Sequence, residues 1–161
     1  MVFGVDFNAD ACAGARDNGF LVVRGDAMNL PLVDGSVDEI INCQFFNQQD
    51  QARVAQFLTE VRRVLKPGGR AILVWRNGAA LIHVLAHALL TLLDRLQGHE
   101  VFPQYVHRLP EVERMARESG LTVEHRELAN PLINWRSEHV GGVFGRLMGA
   151  SCVLVLGRPA A

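Results

Sequence analysis

Two acidic residues stand where a bound ligand would need them. Asp6 closes the short apolar run Val2-Phe3-Gly4-Val5, and Asp26 follows Gly25 just beyond the run Phe20–Val23. A carboxylate offers two acceptor oxygens to neighbouring donors, so an acid at the end of an apolar run suits polar ligands. A third run, Glu39-Ile40-Ile41-Asn42-Cys43, ends on a side-chain amide and a thiol. Cys43 has no histidine beside it in sequence and reads as a small buried apolar residue rather than a nucleophile. His107, beside Tyr105, has the unperturbed chemistry of a general base, and equally suits a capping or surface role. His83, His87, Thr91 and Asp94 form a thin polar stripe on an otherwise apolar segment. Two histidines four apart could share a metal, but no cysteine-rich or acidic motif accompanies them. A solvent or pocket face is expected there, and no metal. Trp135-Arg136 could grip an anion or an aromatic ring, or simply pack in a loop.

These residues need elements to position them. Val2–Val5 reads as a strand, and Asn8 is placed to cap a helix over 9–17 that stops at Asn18-Gly19. Phe20–Val23 and Glu39–Cys43 read as the next strands, separated by Pro31 and the turn Asp34-Gly35-Ser36. From Asp50 to Leu65, Val54, Phe57, Leu58, Val61, Val64 and Leu65 recur at helical spacing. Lys66-Pro67-Gly68-Gly69 then makes a turn in which Gly68 supplies a positive φ. Ala71–Trp75 reads as a strand, 79–96 and 111–119 as helices, and Leu121–Leu128 and Ser151–Leu156 as the last strands. Alternating strands and helices with nearly continuous apolar strands predict an α/β fold with a mainly parallel sheet. Acids and glycines gather at the strand C-termini, where open α/β sheets bind ligands.

Composition narrows the function classes. The 161 residues suit one domain, and 49% hydrophobic with 20% charged residues is a globular balance. A net charge of −1 gives no bulk attraction to nucleic acid or an anionic membrane. Three scattered cysteines suit free thiols in a reducing compartment, so a cytoplasmic location is expected, without a leader or a membrane span.

Four segments together resemble one family. Val2-Phe3-Gly4-Val5-Asp6-Phe7-Asn8, Gly25-Asp26-Ala27-Met28-Asn29-Leu30-Pro31 with Asp34 and Asp38, Asn42-Cys43, and Glu60–Arg70 are similar to class I S-adenosylmethionine-dependent methyltransferases. Their order resembles the ubiquinone/menaquinone-type branch. The resemblance implies a Rossmann-like methyltransferase sheet, mainly parallel with an antiparallel last strand. It is expected to lack the family's first, glycine-rich strand, which lies mid-sheet, so that Val2–Val5 and Ile40–Asn42 flank a gap.

The resemblance also implies S-adenosylmethionine as cofactor and a role for each matched residue. Asp6, with Phe7 beside it, would meet the ribose, and Asp26 the adenine amine. Ala27 and Met28 would flank the ring, and Asn42 and Cys43 would approach the methionine end. The Glu60–Arg70 run is structural in such proteins. The expected organisation is a single domain over 1–161, with 79–106 as a substrate-cap insertion. Methyl transfer to a small, apolar acceptor is the function implied, and no catalytic residue is assigned beyond the candidate His107. Two alternatives stay open: a truncated, non-catalytic relative acting through a partner chain, and a nicotinamide-dependent oxidoreductase. A homo-oligomer formed through the unpaired strand edge is the partner expected besides a small-molecule substrate.

Overall fold

In a computed structural model, the structure describes residues 1–77, 88, 89, 96, 105, 107–130, 135, 136 and 151–160. Strand β1 (Gly4–Asp6), helix α1 (Ala9–Asp17) and strand β2 (Val22–Arg24) come first, followed by β3 (Val37–Cys43) and a 3-10 turn at Phe46–Gln48. Helix α2 (Gln51–Val64) leads into β4 (Leu65–Arg76). After it come α3 (Leu109–Glu118), β5 (Thr122–Asn130), β6 (Trp135–Arg136) and β7 (Ser151–Gly157). The expected insertion over 79–106 lies outside the described residues, apart from 88, 89, 96 and 105. Its polar stripe of His83, His87, Thr91 and Asp94 is among the residues left outside.

The strands form two sheets among the described residues. One is the parallel pair β1–β2, and the other runs β3-β4-β7-β5-β6. β3 and β4 are parallel, and β7 is antiparallel to both of its neighbours, as the resemblance implies for the last strand. The two-residue β6, antiparallel to β5, was not expected. Among the described residues β1 pairs with β2 alone and β3 with β4 alone, so each has one unpaired edge there. Ile41 on β3 is 66% exposed in consequence. Cys43 is exposed rather than buried, at the edge of β3 where no strand pairs among the described residues.

Local chemistry explains the helices. Asn8 caps α1 by accepting from the backbone N–H groups of Asp10 and Ala11. Asp50 caps α2 in the same way, through Arg53 N–H. Every apolar position read at helical spacing on α2, from Val54 to Leu65, is buried. Each such side chain contributes about 1.5–3 kcal/mol of transfer free energy. α3 starts two residues earlier than expected, because Pro110 fits a first helical turn and Glu111 reaches back to Arg108 N–H.

The Lys66–Gly69 turn is present, but it interrupts a strand rather than preceding one. Val37 is opposite Leu65 and Glu39 is opposite Arg70, so residues 66–69 bulge out of the ladder. Gly68 has φ 77°, as its place in the turn requires. A Cβ at Gly69 would lie 2.9 Å from the carbonyl oxygens of both Asp38 and Lys66, so only glycine lets the bulge close.

One ion cluster ties the two sheets together. From α2, Arg63 donates to Asp34 at 2.6 Å, to Glu60 at 2.7 Å, and to the carbonyls of Leu30 and Leu32. Glu60 also accepts from Leu30 N–H at 2.8 Å, and Gln56 donates to Met28 O. The loop after β2 is thereby clamped to the helix that precedes β4. Arg63, through its hydrogen bonds, holds the Glu60 carboxyl below its ordinary value of 4.5. A carboxyl depressed in the folded state stabilises above its unfolded value, and that contribution is lost as pH falls through the folded one. Chemical denaturation of wild type and Glu60→Gln should therefore show a stability gap that is constant above pH 4.5 and closes on acidification. A gap unchanged down to pH 2 would contradict the cluster's role.

Candidate functional site

Asp6 and Asp26 come together at the C-terminal ends of adjacent parallel strands. Asp6 is in register with Arg24, and Gly25 N–H donates to Asp6 O at 2.9 Å. At Gly25 the backbone also comes close to its surroundings. A Cβ there would lie 2.7 Å from the Pro31 ring and 3.2 Å from Val5. Glycine at this position lets the loop fold back on Pro31 and fixes Asp26 just beyond the end of β1.

Each acid uses one oxygen to shape its own loop. Asp6 Oδ1 accepts from Asn8 N–H at 2.8 Å, and Asp26 Oδ1 accepts from Met28 N–H at 2.9 Å. Both side chains are exposed, and neither second oxygen has a protein partner among the described residues. Phe7, beside Asp6, exposes 73% of its surface. Ala27 is half-buried, but Met28 is only 6% exposed and belongs to the core cluster with Phe46 and Phe57. Its thioether anchors the loop rather than lining an open face. Asn42 is half-buried and Cys43 exposed at the end of β3. Asp34 and Asp38 serve structure, paired with Arg63 at 2.6 Å and Lys66 at 2.7 Å.

A second group of polar residues gathers beyond β3 and β4. Gln44 takes a positive φ of 62°, rare outside glycine, and its N–H donates to Val74 O at 2.7 Å. Its side chain accepts from the buried Asn47. Phe45, Phe46, Phe57 and Trp75 form a linked set of ring contacts, and His107 meets the Phe46 ring edge-on at 6.2 Å. His107 is 1% exposed, and the residue that caps α3 is Arg108, so His107 is neither a cap nor a surface residue. Sequence reasoning missed Gln44 and Asn47. The amide-rich, aromatic run Gln44-Phe45-Phe46-Asn47-Gln48-Gln49 was the available signal. The side chains of Trp135 and Arg136 lie outside the described residues.

Residues 1–73 match the methyltransferase-domain family. The demethylmenaquinone methyltransferase of Deinococcus radiodurans is 32% identical over 130 residues, covering 72% of this chain and 53% of that protein. The fatty-acid O-methyltransferase of Mycolicibacterium smegmatis is 39% identical over 70 residues, covering 41% of this chain and 25% of that protein. The fold is also that of a Mesorhizobium loti S-adenosylmethionine-dependent methyltransferase, with TM-score 0.69 at 17% identity, covering 98% of this chain and 80% of the other. Residues 1–73 thus carry a methyltransferase domain, and the fold is that of S-adenosylmethionine-dependent methyltransferases. The chain spans about half the length of the Deinococcus relative and a quarter of the mycobacterial one.

The residues at the β1–β2 end fit S-adenosylmethionine. Two carboxylates, each with an unshared oxygen, can accept from hydroxyl and amine donors, and the exposed Phe7 ring offers an apolar face beside them. No group of three metal-ligating side chains occurs among the described residues. None of their helices is long and apolar enough to cross a membrane.

Proposed function

We propose that this methyltransferase domain binds S-adenosylmethionine at the ends of β1, β2 and β3 and directs methyl transfer to a small, apolar acceptor. The observation that carries the reading is the joining of Asp6 and Asp26 through the Gly25 N–H bond to Asp6 O. Asp6 holds the ribose hydroxyls with Phe7 beside it, and Asp26 accepts from the adenine amine. Ala27 covers the ring, on a loop that buried Met28 fixes in place. Asn42 and Cys43 border the methionine end. The cofactor supplies a methyl group on a positively charged sulfonium, so transfer is intrinsically favourable. The chain's task is alignment of donor and acceptor in a water-poor cleft. The apolar character of the acceptor is supported by the aromatic cluster beyond β3. The family match favours methyl transfer over nicotinamide chemistry.

Asp6→Asn and Asp26→Asn test the assignment without breaking the loops, because an asparagine Oδ1 still accepts the Asn8 or Met28 N–H. Each should leave the melting temperature in place and weaken S-adenosylmethionine binding by about 1.5–3 kcal/mol, the worth of a charged hydrogen bond. Isothermal calorimetry showing unchanged affinity in both variants would remove these residues from the site.

The open edges of β1 and β3 favour one further reading, in which the domain acts through association. Unpaired strand edges template pairing with another chain. We propose that two copies pair through these edges, and light scattering should return more than a monomeric mass. A strictly monomeric chain that binds the cofactor tightly would contradict that proposal.

A further inference from the structure

Beside the aromatic cluster, His107 is anchored at one nitrogen and bare at the other. Its Nε2 lies 2.7 Å from Gln49 O, and its own carbonyl accepts from Trp75 Nε1 at 3.1 Å. Tyr105 N–H donates to Asn47 O at 2.9 Å, so the segment is pinned to the loop after β3 on both sides of residue 106. A carbonyl can only accept, so the ring must carry its proton on Nε2. Nδ1 is then a lone-pair acceptor. That atom is buried and has no hydrogen-bond partner among the described residues. A buried acceptor left unpaired costs about 1–3 kcal/mol, and few such groups survive in folded proteins without a use. The strained Gln44 and the buried Asn47 flank the same loop, and strained backbone gathers at functional sites.

We infer that His107 Nδ1 accepts a hydrogen bond from the methyl acceptor, and that it selects a neutral hydroxyl on an aromatic or apolar body over a carboxylate. The inference rests on the methyl-transfer reading for the identity of the ligand. The selectivity follows from the tautomer that Gln49 O selects. The Nδ1 lone pair of that tautomer attracts an O–H and repels a carboxylate oxygen. No hydrogen bond or ion pair joins the ring to a charged side chain among the described residues, so nothing there compensates a bound anion. The ring packs edge-on against Phe46, which in turn packs on Trp75, so the surroundings of Nδ1 are apolar and aromatic.

The test uses the whole chain labelled with 15N-histidine, with 2-naphthol as the neutral probe and 2-naphthoate as its carboxylate counterpart. The free protein should show the Nε2–H tautomer at His107. Added 2-naphthol should move the Nδ1 resonance, and 2-naphthoate should not. His107→Gln keeps an amide N–H for Gln49 O but loses the second nitrogen. It should retain the melting temperature and S-adenosylmethionine affinity while weakening 2-naphthol binding about three- to tenfold, the range of one neutral hydrogen bond. His107→Asn, which cannot reach Gln49 O, should instead lower the melting temperature. A proton found on Nδ1, no response to 2-naphthol, an equal response to 2-naphthoate, or unchanged naphthol affinity in His107→Gln would each overturn the inference. Wild-type protein that fails to bind S-adenosylmethionine but still shows the naphthol response would sink the methyl-transfer reading alone.

Discussion

Two sheets that share no ladder among the described residues are held as one scaffold by Arg63. Its guanidinium reaches Glu60 on its own helix, Asp34 in the loop beyond β2, and two carbonyls of that loop. The planar five-donor fork of arginine can satisfy such a set, and a lysine cannot. The loop carrying Asp26 and Met28 is thereby fixed against α2, and α2 is fixed against the large sheet by a fully buried apolar face. Without that clamp, β1 and β2 would contact little beyond α1, since much of their apolar surface is exposed. The candidate site at their C-terminal ends depends on a contact some distance from it.

The same arrangement separates two kinds of work along the chain. The β1–β2 end supplies carboxylates and an exposed ring, which suit a polar, nucleoside-like ligand. The β3–β4 end supplies aromatic rings, buried amides and an anchored imidazole, which suit an apolar body with one polar handle. Met28 belongs to both regions, with its backbone in the Asp26 turn and its side chain in the core shared with Phe46. A ligand ordering one loop would bear on the other through this residue.

Much of this was legible in the sequence, because local rules decided it. The α2 face followed from helical spacing, the α1 cap from Asn8, and the Gly68 conformation from its place after Pro67. Asp6 and Asp26 could be paired because the ends of adjacent parallel strands meet. What escaped was set by tertiary contacts. Cys43 looked like a core residue and is exposed, because burial on β3 depends on a neighbour that pattern cannot supply. Lys66–Gly69 looked like the end of a helix and proved to be a bulge whose register is fixed only by pairing with β3. His107 looked like a cap or surface residue, and its burial comes from Gln49 and Trp75, each more than thirty positions away.

In the proposed arrangement the loops after β1 and β2 form one cofactor site. Hydrogen–deuterium exchange with and without S-adenosylmethionine reads this directly, because amide protection reports local opening segment by segment. Binding should slow exchange at Asp6–Asn8 and Gly25–Leu30 together, with β7 unchanged. Protection confined to one loop, or arising only elsewhere in the chain, would contradict it.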